Sequence, residues 1–297
     1  MYTKYYGFLE DPFNMTPNPR YFFESAKHTE ALSTLVYAIE QRKGFVVITG
    51  DIGAGKTTVC RALLNQLNNR TETALITNTY INAKDLFCTI LEDLEIDYTP
   101  GSKSRLLSQL NEHLIICLQQ DKNVVLIIDE AQNLTPSVLE EIRMLSNLET
   151  DNEKLIQIIF LGQPELKKKL AMQKLEQLRQ RIAVYFHLTP LSAEETKKYI
   201  RHRLKVASGK DREYFTGRAL DLIYTFSRGI PRLINQVADS ALLNGFVYEK
   251  DIIDEHLMRE VIDEAPTSRI TAEERKAIKK LEEIKPSIKD LANIRIE

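Results

Sequence analysis

Gly50-Asp51-Ile52-Gly53-Ala54-Gly55-Lys56-Thr57-Thr58 fills the pattern G-x-x-x-x-G-K-[ST] at every fixed position. The apolar run Phe45-Val46-Val47-Ile48-Thr49 leads into it, and Val59-Cys60-Arg61-Ala62-Leu63-Leu64, helical in pattern, follows. Strand, glycine-rich loop and helix in that order are the setting a phosphate-binding loop requires. Glycine lets the backbone curl round a phosphate with its amides pointing inward, and the helix start adds positive potential. The nine residues are therefore the expected cradle of a nucleoside triphosphate. Lys56 is expected at the β- and γ-phosphates and Thr57 on a Mg2+ ion.

Outward from this loop, apolar runs alternate with helical patterns through residues 44–188. The runs predict strands at Phe45–Thr49, Thr73–Thr77, Val124–Ile128, Ile156–Leu161 and Ala183–Leu188. Helices are predicted at Lys56–Asn68, Ala83–Leu94, Ser102–Gln120, Pro136–Leu148 and Pro164–Leu170. Strands apolar on both faces and separated by helices imply an α/β fold, a parallel sheet covered on both sides. Beyond Leu191 the strand signals stop. Ser192–Ala207, Gly217–Ser227, Pro231–Phe246 and Asp251–Ile262 read as helices of a small all-α lid, and Ser192-Ala193-Glu194-Glu195 is a capping-box pattern. The expected division is an extended N-terminal segment over 1–24, a nucleotide-binding domain over 25–190, the lid over 191–263 and a helical or flexible tail over 264–297.

A second element of the site is Val124-Val125-Leu126-Ile127-Ile128-Asp129-Glu130. Its apolar residues predict a buried central strand. Asp129 then emerges at the carboxyl end, where open α/β sheets bind ligands. Asp129 is expected in the Mg2+ shell, and Glu130 as general base on the attacking water. Phe160-Leu161-Gly162-Gln163 ends another strand, placing Gln163 either near the γ-phosphate or as a cap on the helix opened by Pro164. Arg179 and Arg181 precede the last strand, where an arginine can stabilise transition-state charge, often from a neighbouring subunit. In Ser227-Arg228-Gly229-Ile230-Pro231-Arg232, Pro231 suits a first helical position and presents Arg232 near the helix start, in reach of the γ-phosphate.

Composition leaves the broad class open but ordinary. The 297 residues carry a net charge of −2, with 43% hydrophobic and 28% charged residues. Cys60, Cys88 and Cys117 lack metal-ligand spacing, and the helical patterns around Cys60 and Cys117 make both core candidates. A reducing cytoplasmic setting is expected. The start Met1-Tyr2-Thr3-Lys4-Tyr5-Tyr6-Gly7 shows no secretory leader, and no run of eighteen apolar residues predicts a membrane span.

The elements together resemble the AAA+ ATPases: phosphate loop, Asp-Glu strand, polar sensor strand, arginine before the last strand, then a helical lid with a Gly-x-Pro-Arg turn. The front of the chain sharpens the likeness. Tyr5-Tyr6-Gly7-Phe8, Asp11-Pro12-Phe13-Asn14-Met15-Thr16-Pro17-Asn18-Pro19-Arg20-Tyr21-Phe22-Phe23 and His28-x-Glu30-Ala31-Leu32 closely resemble the opening of ExeA-type proteins, the general secretion pathway protein A family, over about residues 5–262. The resemblance implies ATP as the nucleotide, and that Pro19–Phe22, with Tyr21 and Phe22, lies against adenine. It also implies a ring or filament of copies of this chain, with Arg181 acting in trans. Secretion-type members usually continue into a transmembrane segment and a peptidoglycan-binding domain, and neither is visible here. A short version also resembles transposition regulators in the manner of TnsC, MuB and TniB.

Three functions are compatible with these residues. The first is a switch that assembles on duplex DNA with ATP and recruits a recombinase or transposase. The second is a cytoplasmic ATPase serving envelope or secretion machinery through a membrane partner. The third is a structural ATP switch with little hydrolysis. Residues 165–210 hold twelve Lys/Arg against four Glu, a net of +8 that suits a phosphate backbone. Glu130 speaks against the third.

Overall fold

The computed structural model describes residues 1–16, 18–68, 70–150 and 153–265. Five strands, β1 (Phe45–Gly50), β2 (Thr71–Ile76), β3 (Asn123–Ile128), β4 (Gln157–Gly162) and β5 (Ile182–Leu188), form one parallel sheet in the order β2-β3-β4-β1-β5. The helices are α1 (Tyr2–Tyr6), α2 (Ala26–Glu40), α3 (Lys56–Gln66), α4 (Ala83–Asp93), α5 (Lys103–Gln119), α6 (Pro136–Leu145), α7 (Pro164–Leu170), α8 (Glu176–Gln180), α9 (Ala193–Ser208), α10 (Gly217–Ser227), α11 (Pro231–Val247) and α12 (Glu255–Glu264).

The two-residue side-chain period of a strand explains the layering. Phe45 and Val47 of β1, with Val124, Leu126 and Ile128 of β3, enter one core beneath α4, α5 and α6. Val46, Ile48, Val125 and Ile127 point the other way, into a second core beneath α2 and α3. Both faces are thus covered, as the apolar runs imply, and β1, β3 and β4 are central. Edge strand β2 begins two residues before its predicted start, at polar Thr71 and Glu72, because pairing with Asn123 and Val124 extends it beyond its apolar stretch. Registers Thr49↔Gly162 and Ile128↔Phe160 bring the carboxyl ends of β1, β3 and β4 to one rim.

The third core belongs to α9, α10, α11 and α12 together with the start of the chain. Ser192 and Glu195 form the reciprocal capping box that opens α9. Helix α12 starts at Glu255 rather than Asp251, since Asp254 caps it and Ile253 bridges to Phe215. The opening segment is not simply extended: Tyr2–Tyr6 make a helical turn closed by left-handed Gly7. Tyr6, Phe8 and Phe13 are buried against this helical core, and burying such rings is worth about 1.5–3 kcal/mol each. The Tyr6 hydroxyl donates to Lys250 O at 2.8 Å, and Leu9 N–H to Ala207 O at 2.8 Å. The expectation for the tail beyond Ala265 lies outside the described residues.

Candidate nucleotide site

β1 delivers the chain to Gly50, and the loop runs to Gly55, which caps α3 in a left-handed conformation with φ +103°. Gly53 has φ +81°, and a Cβ there would stand 2.5 Å from Cβ of Arg232. A Cβ on Gly55 would stand 2.5 Å from Nε2 of His28. Both positions therefore require glycine twice over, by dihedral and by crowding. His28 is buried under the loop: Nε2 donates to Ala54 O at 3.1 Å, and Nδ1 faces Ser25 Oγ at 2.7 Å. Burial holds its pKa below the usual histidine value.

Lys56 is 5% exposed, and its ammonium donates to Gly50 O at 2.8 Å and Asp51 O at 3.1 Å. Burial lowers its pKa, while Glu130, Asp129 and Asp51 act to keep it charged. Thr57 donates to Oδ2 of Asp129 at 2.9 Å, joining the loop to the end of β3. Asp129 Oδ1 accepts the N–H of Glu130 at 2.8 Å. Glu130 adopts φ +51°, a left-handed conformation that a non-glycine residue reaches only at some energetic expense.

Oε2 of Glu130 accepts from Nε2 of Gln163 at 3.0 Å and from Nε2 of Gln132. Gln132 Oε1 in turn accepts the Gln163 backbone N–H at 3.0 Å. Gln163 stands at the cap position of α7 without a side-chain cap bond, so its amide is directed to Glu130 instead. Lys169 pins the loop beneath, donating to Leu134 O at 2.8 Å and to Gln132 O.

Above the loop lies a cleft of about 390 Å³ lined by Ile52, Gly53, Gly55, Lys56, Thr57, Thr58, Glu130 and Tyr21, with Pro231, Arg232 and Asn235 closing it from the lid. Backbone N–H of Arg232 donates to Gly53 O at 3.3 Å, seating the start of α11 on the loop. A larger depression of about 580 Å³ lies elsewhere, among Glu40, Arg42, Glu149 and Lys154, with no glycine-rich backbone to receive phosphates. Volume alone therefore does not choose the site.

Three candidate residues, Phe22, Arg181 and Arg179, stand apart from this cleft. Phe22 packs against the α2–α3 core, its ring 6.3 Å from that of His28, while neighbouring Tyr21 faces the cleft. A one-residue step turns adjacent side chains in different directions, so both could not share one wall. Arg181 is exposed and donates to Ser146 Oγ at 2.7 Å, away from the cleft residues of its own chain. Arg179, also exposed, faces Glu176 at 3.9 Å.

Sequence reasoning missed Gln132, although it lies two residues beyond Glu130. It also missed a lid group of Tyr199, Arg203 and Asn235. Arg203 is 7% exposed; it donates to Tyr199 Oη at 2.9 Å, Asn14 O at 3.1 Å and Pro12 O, and lies 4.7 Å over the Tyr21 ring. Tyr199 donates to Asn235 Oδ1 at 2.9 Å. The guanidinium thereby fixes Asn14, Met15 and Thr16 on the cleft wall. The +8 stretch is correspondingly less available than its count implies. Besides Arg203 and Lys169, Lys197 pairs with Asp221, Arg201 with Glu213 and Lys205 with Asp211.

A parallel sheet in this order, with the phosphate loop after β1, the acidic pair after β3, a polar residue after β4 and a helical lid over the loop, defines a P-loop protein of the AAA+ class. Residues 39–170 match the family described as an AAA domain. General secretion pathway protein A of Aeromonas hydrophila is 44% identical over 247 residues, 83% of this chain and 45% of that protein. The chain belongs to the AAA+ family that general secretion pathway protein A represents, and it spans less than half the length of that relative. Among solved structures, the Aeropyrum pernix ORC2 protein (ADPNP–ADP complexes) matches with TM-score 0.67 at 16% identity, covering 86% of this chain and 71% of that one. Thermotoga maritima RuvB, a Holliday junction branch migration motor, matches with TM-score 0.55 at 20% identity, covering 82% of this chain and 70% of that one. At these identities the likeness concerns the fold. No helix among the described residues is long and apolar enough to cross a membrane.

Proposed function

We propose that the chain binds ATP with Mg2+ in the cleft above Gly53–Thr58 and hydrolyses it, as an AAA+ switch that assembles with copies of itself and regulates a partner machine. The observation that carries this reading is the convergence on one cleft of Lys56, Thr57 and Glu130, with buried Asp129 bonded to Thr57 behind them. Lys56 supplies charge to the β- and γ-phosphates, exchanging its carbonyl partners for phosphate oxygens. The hydroxyl of Thr57 and the carboxylate of Asp129, 2.9 Å apart, form an all-oxygen donor pair that fits Mg2+. That ion supplies neutralisation of phosphate charge. Glu130 takes a proton from the attacking water, and the amide of Gln163 orients it. Arg232 senses the γ-phosphate from the lid, Tyr21 faces adenine, and Arg181, exposed at the amino end of β5, reaches the site of the next protomer in a ring or filament.

Phosphate release by the full chain tests the reading. With ATP and Mg2+ the parent should turn over. Glu130→Gln should bind ATP normally while release falls by roughly 10²–10⁴-fold, the usual worth of a positioned base. Release by Glu130→Gln at the parental rate would remove Glu130 from the mechanism.

The 44% identical relative favours a secretion or envelope partner at the membrane, met from the cytoplasmic side. A second reading, duplex DNA with a recombinase or transposase, rests on Lys167, Lys168 and Lys174, all exposed around α7. Gel shift at two salt concentrations, with and without a non-hydrolysable ATP analogue, separates them. Salt-sensitive binding supports DNA; no shift at low salt in either nucleotide state removes that reading.

A further inference from the structure

Far from the nucleotide cleft, β2 and α5 bring three metal-ligating side chains to one point. Glu72 is the second residue of β2, on the sheet edge; His113 and Cys117 lie four apart on α5, hence on one face of that helix. Nε2 of His113 stands 2.8 Å from Oε2 of Glu72, Sγ of Cys117 stands 3.5 Å from the same oxygen, and the sulfur and nitrogen are 3.3 Å apart. The thiol is buried, while Glu72 and His113 are half-buried. Lys122 donates to the other carboxylate oxygen, Oε1, at 2.8 Å, which leaves Oε2 as the oxygen turned to the cluster.

We propose that Glu72, His113 and Cys117 form a zinc site. Zinc bonds of about 2.0–2.3 Å in tetrahedral geometry set ligand separations of roughly 3.3 Å between nitrogen and oxygen and 3.5 Å from sulfur to either. The sulfur already stands at those separations, and the nitrogen and oxygen need to part by about half an ångström. Thiolate with imidazole is a donor set that selects Zn2+ over Mg2+ or Ca2+, and a single carboxylate completes three protein ligands with a fourth position for water. The ion would tie the edge strand to the helix that covers it. Glu72 lies four residues before Ile76, whose carbonyl meets Asp129 N–H, so the site is roughly 13 Å down the strand from the nucleotide rim. It therefore acts on the sheet's edge and not on phosphates.

Cobalt is the probe, because it takes zinc sites and reports its ligands by colour. Co2+ titrated into the metal-stripped full chain should give a saturable thiolate-to-cobalt charge-transfer band and tetrahedral d–d bands at one ion per chain, both erased by Zn2+. The all-oxygen pair Thr57–Asp129 cannot give a thiolate band. Cys117→Ser should abolish that band, and His113→Ala should weaken zinc binding by more than the ~10–100-fold seen for loss of an outer partner. Cys60→Ser and Cys88→Ser should keep the band. Far-ultraviolet circular dichroism and ATP binding, unchanged in Cys117→Ser, show that the variant is folded. Absence of a thiolate band in the parent, or its survival in Cys117→Ser, overturns the site and leaves a hydrogen-bonded cluster.

Discussion

The hydroxyl of Thr57 donates to Oδ2 of Asp129 at 2.9 Å, joining residues 72 positions apart in the chain. The bond forms because β1 and β3 end at the same rim: the loop after β1 leads into Thr57 at the start of α3, and Asp129 directly follows β3. It converts two separate sequence patterns into one oxygen pair beside a buried ammonium, and the proposed chemistry grows from there.

Glu130 is held by Gln163 and Gln132 in the structure described. If Gln163 orients the attacking water, Gln163→Ala should lower ATP turnover by about tenfold or more while ATP affinity stays within about threefold. Steady-state phosphate release alongside equilibrium binding checks this. Parental turnover would reduce Gln163 to a local brace.

Arg181 has its own-chain contact at Ser146, outside its own cleft. In trans action predicts that Arg181→Ala binds ATP but loses hydrolysis, and that mixing it with Lys56→Ala protomers restores part of the activity. Mixed-oligomer assays without any rescue would confine Arg181 to its own protomer.

Arg203 carries three acceptors, two of them carbonyls of the opening segment. Arg203→Met keeps the apolar stem but leaves those carbonyls without a charged donor, which should cost about 2–4 kcal/mol in denaturant unfolding. Cleavage near residues 12–16 by limited proteolysis should accelerate in parallel. An unchanged unfolding midpoint would show that the segment is held without Arg203, by the buried rings of Tyr6, Phe8 and Phe13 and the Leu9–Ala207 bond.

His28 is kept neutral by burial, against the opposing influences of its bond to Ala54 and of Glu195. Its folded pKa lies below the unfolded value of about 6.5, so the unfolded chain takes up a proton first as pH falls. The stability this neutral ring contributes is intact above about pH 6.5 and is lost as pH drops toward the folded pKa. Thermal unfolding across pH 7.5 to about 5 should therefore show a steeper decline for the parent than for His28→Gln. Equal slopes would mean that another group governs that window.

The fold was legible wherever a local pattern carried it. Apolar strands, the glycine loop and the Ser192–Glu195 capping box depend on residues close in sequence, and each is found where its pattern lies. What escaped notice depends on distant partners. Arg203 reads as one more cation on a charged helix until Pro12 and Asn14 are brought beneath it. Glu72 and Thr71 read as a loop until pairing with β3 makes them strand, and only then does Glu72 meet His113 and Cys117. Tyr21 and Phe22 looked equivalent as a motif, yet backbone direction sends one to the cleft and the other to the core.

Direct binding of ATP is the decisive measurement. Titration calorimetry with Mg2+ should give one saturable site per chain for the parent. Lys56→Ala should weaken it by at least about 100-fold, as expected when a buried ammonium's charge-assisted bonds to phosphate are lost. A parent that takes up no ATP, or a variant that binds it as tightly as the parent, would contradict the placement of the triphosphate in this loop.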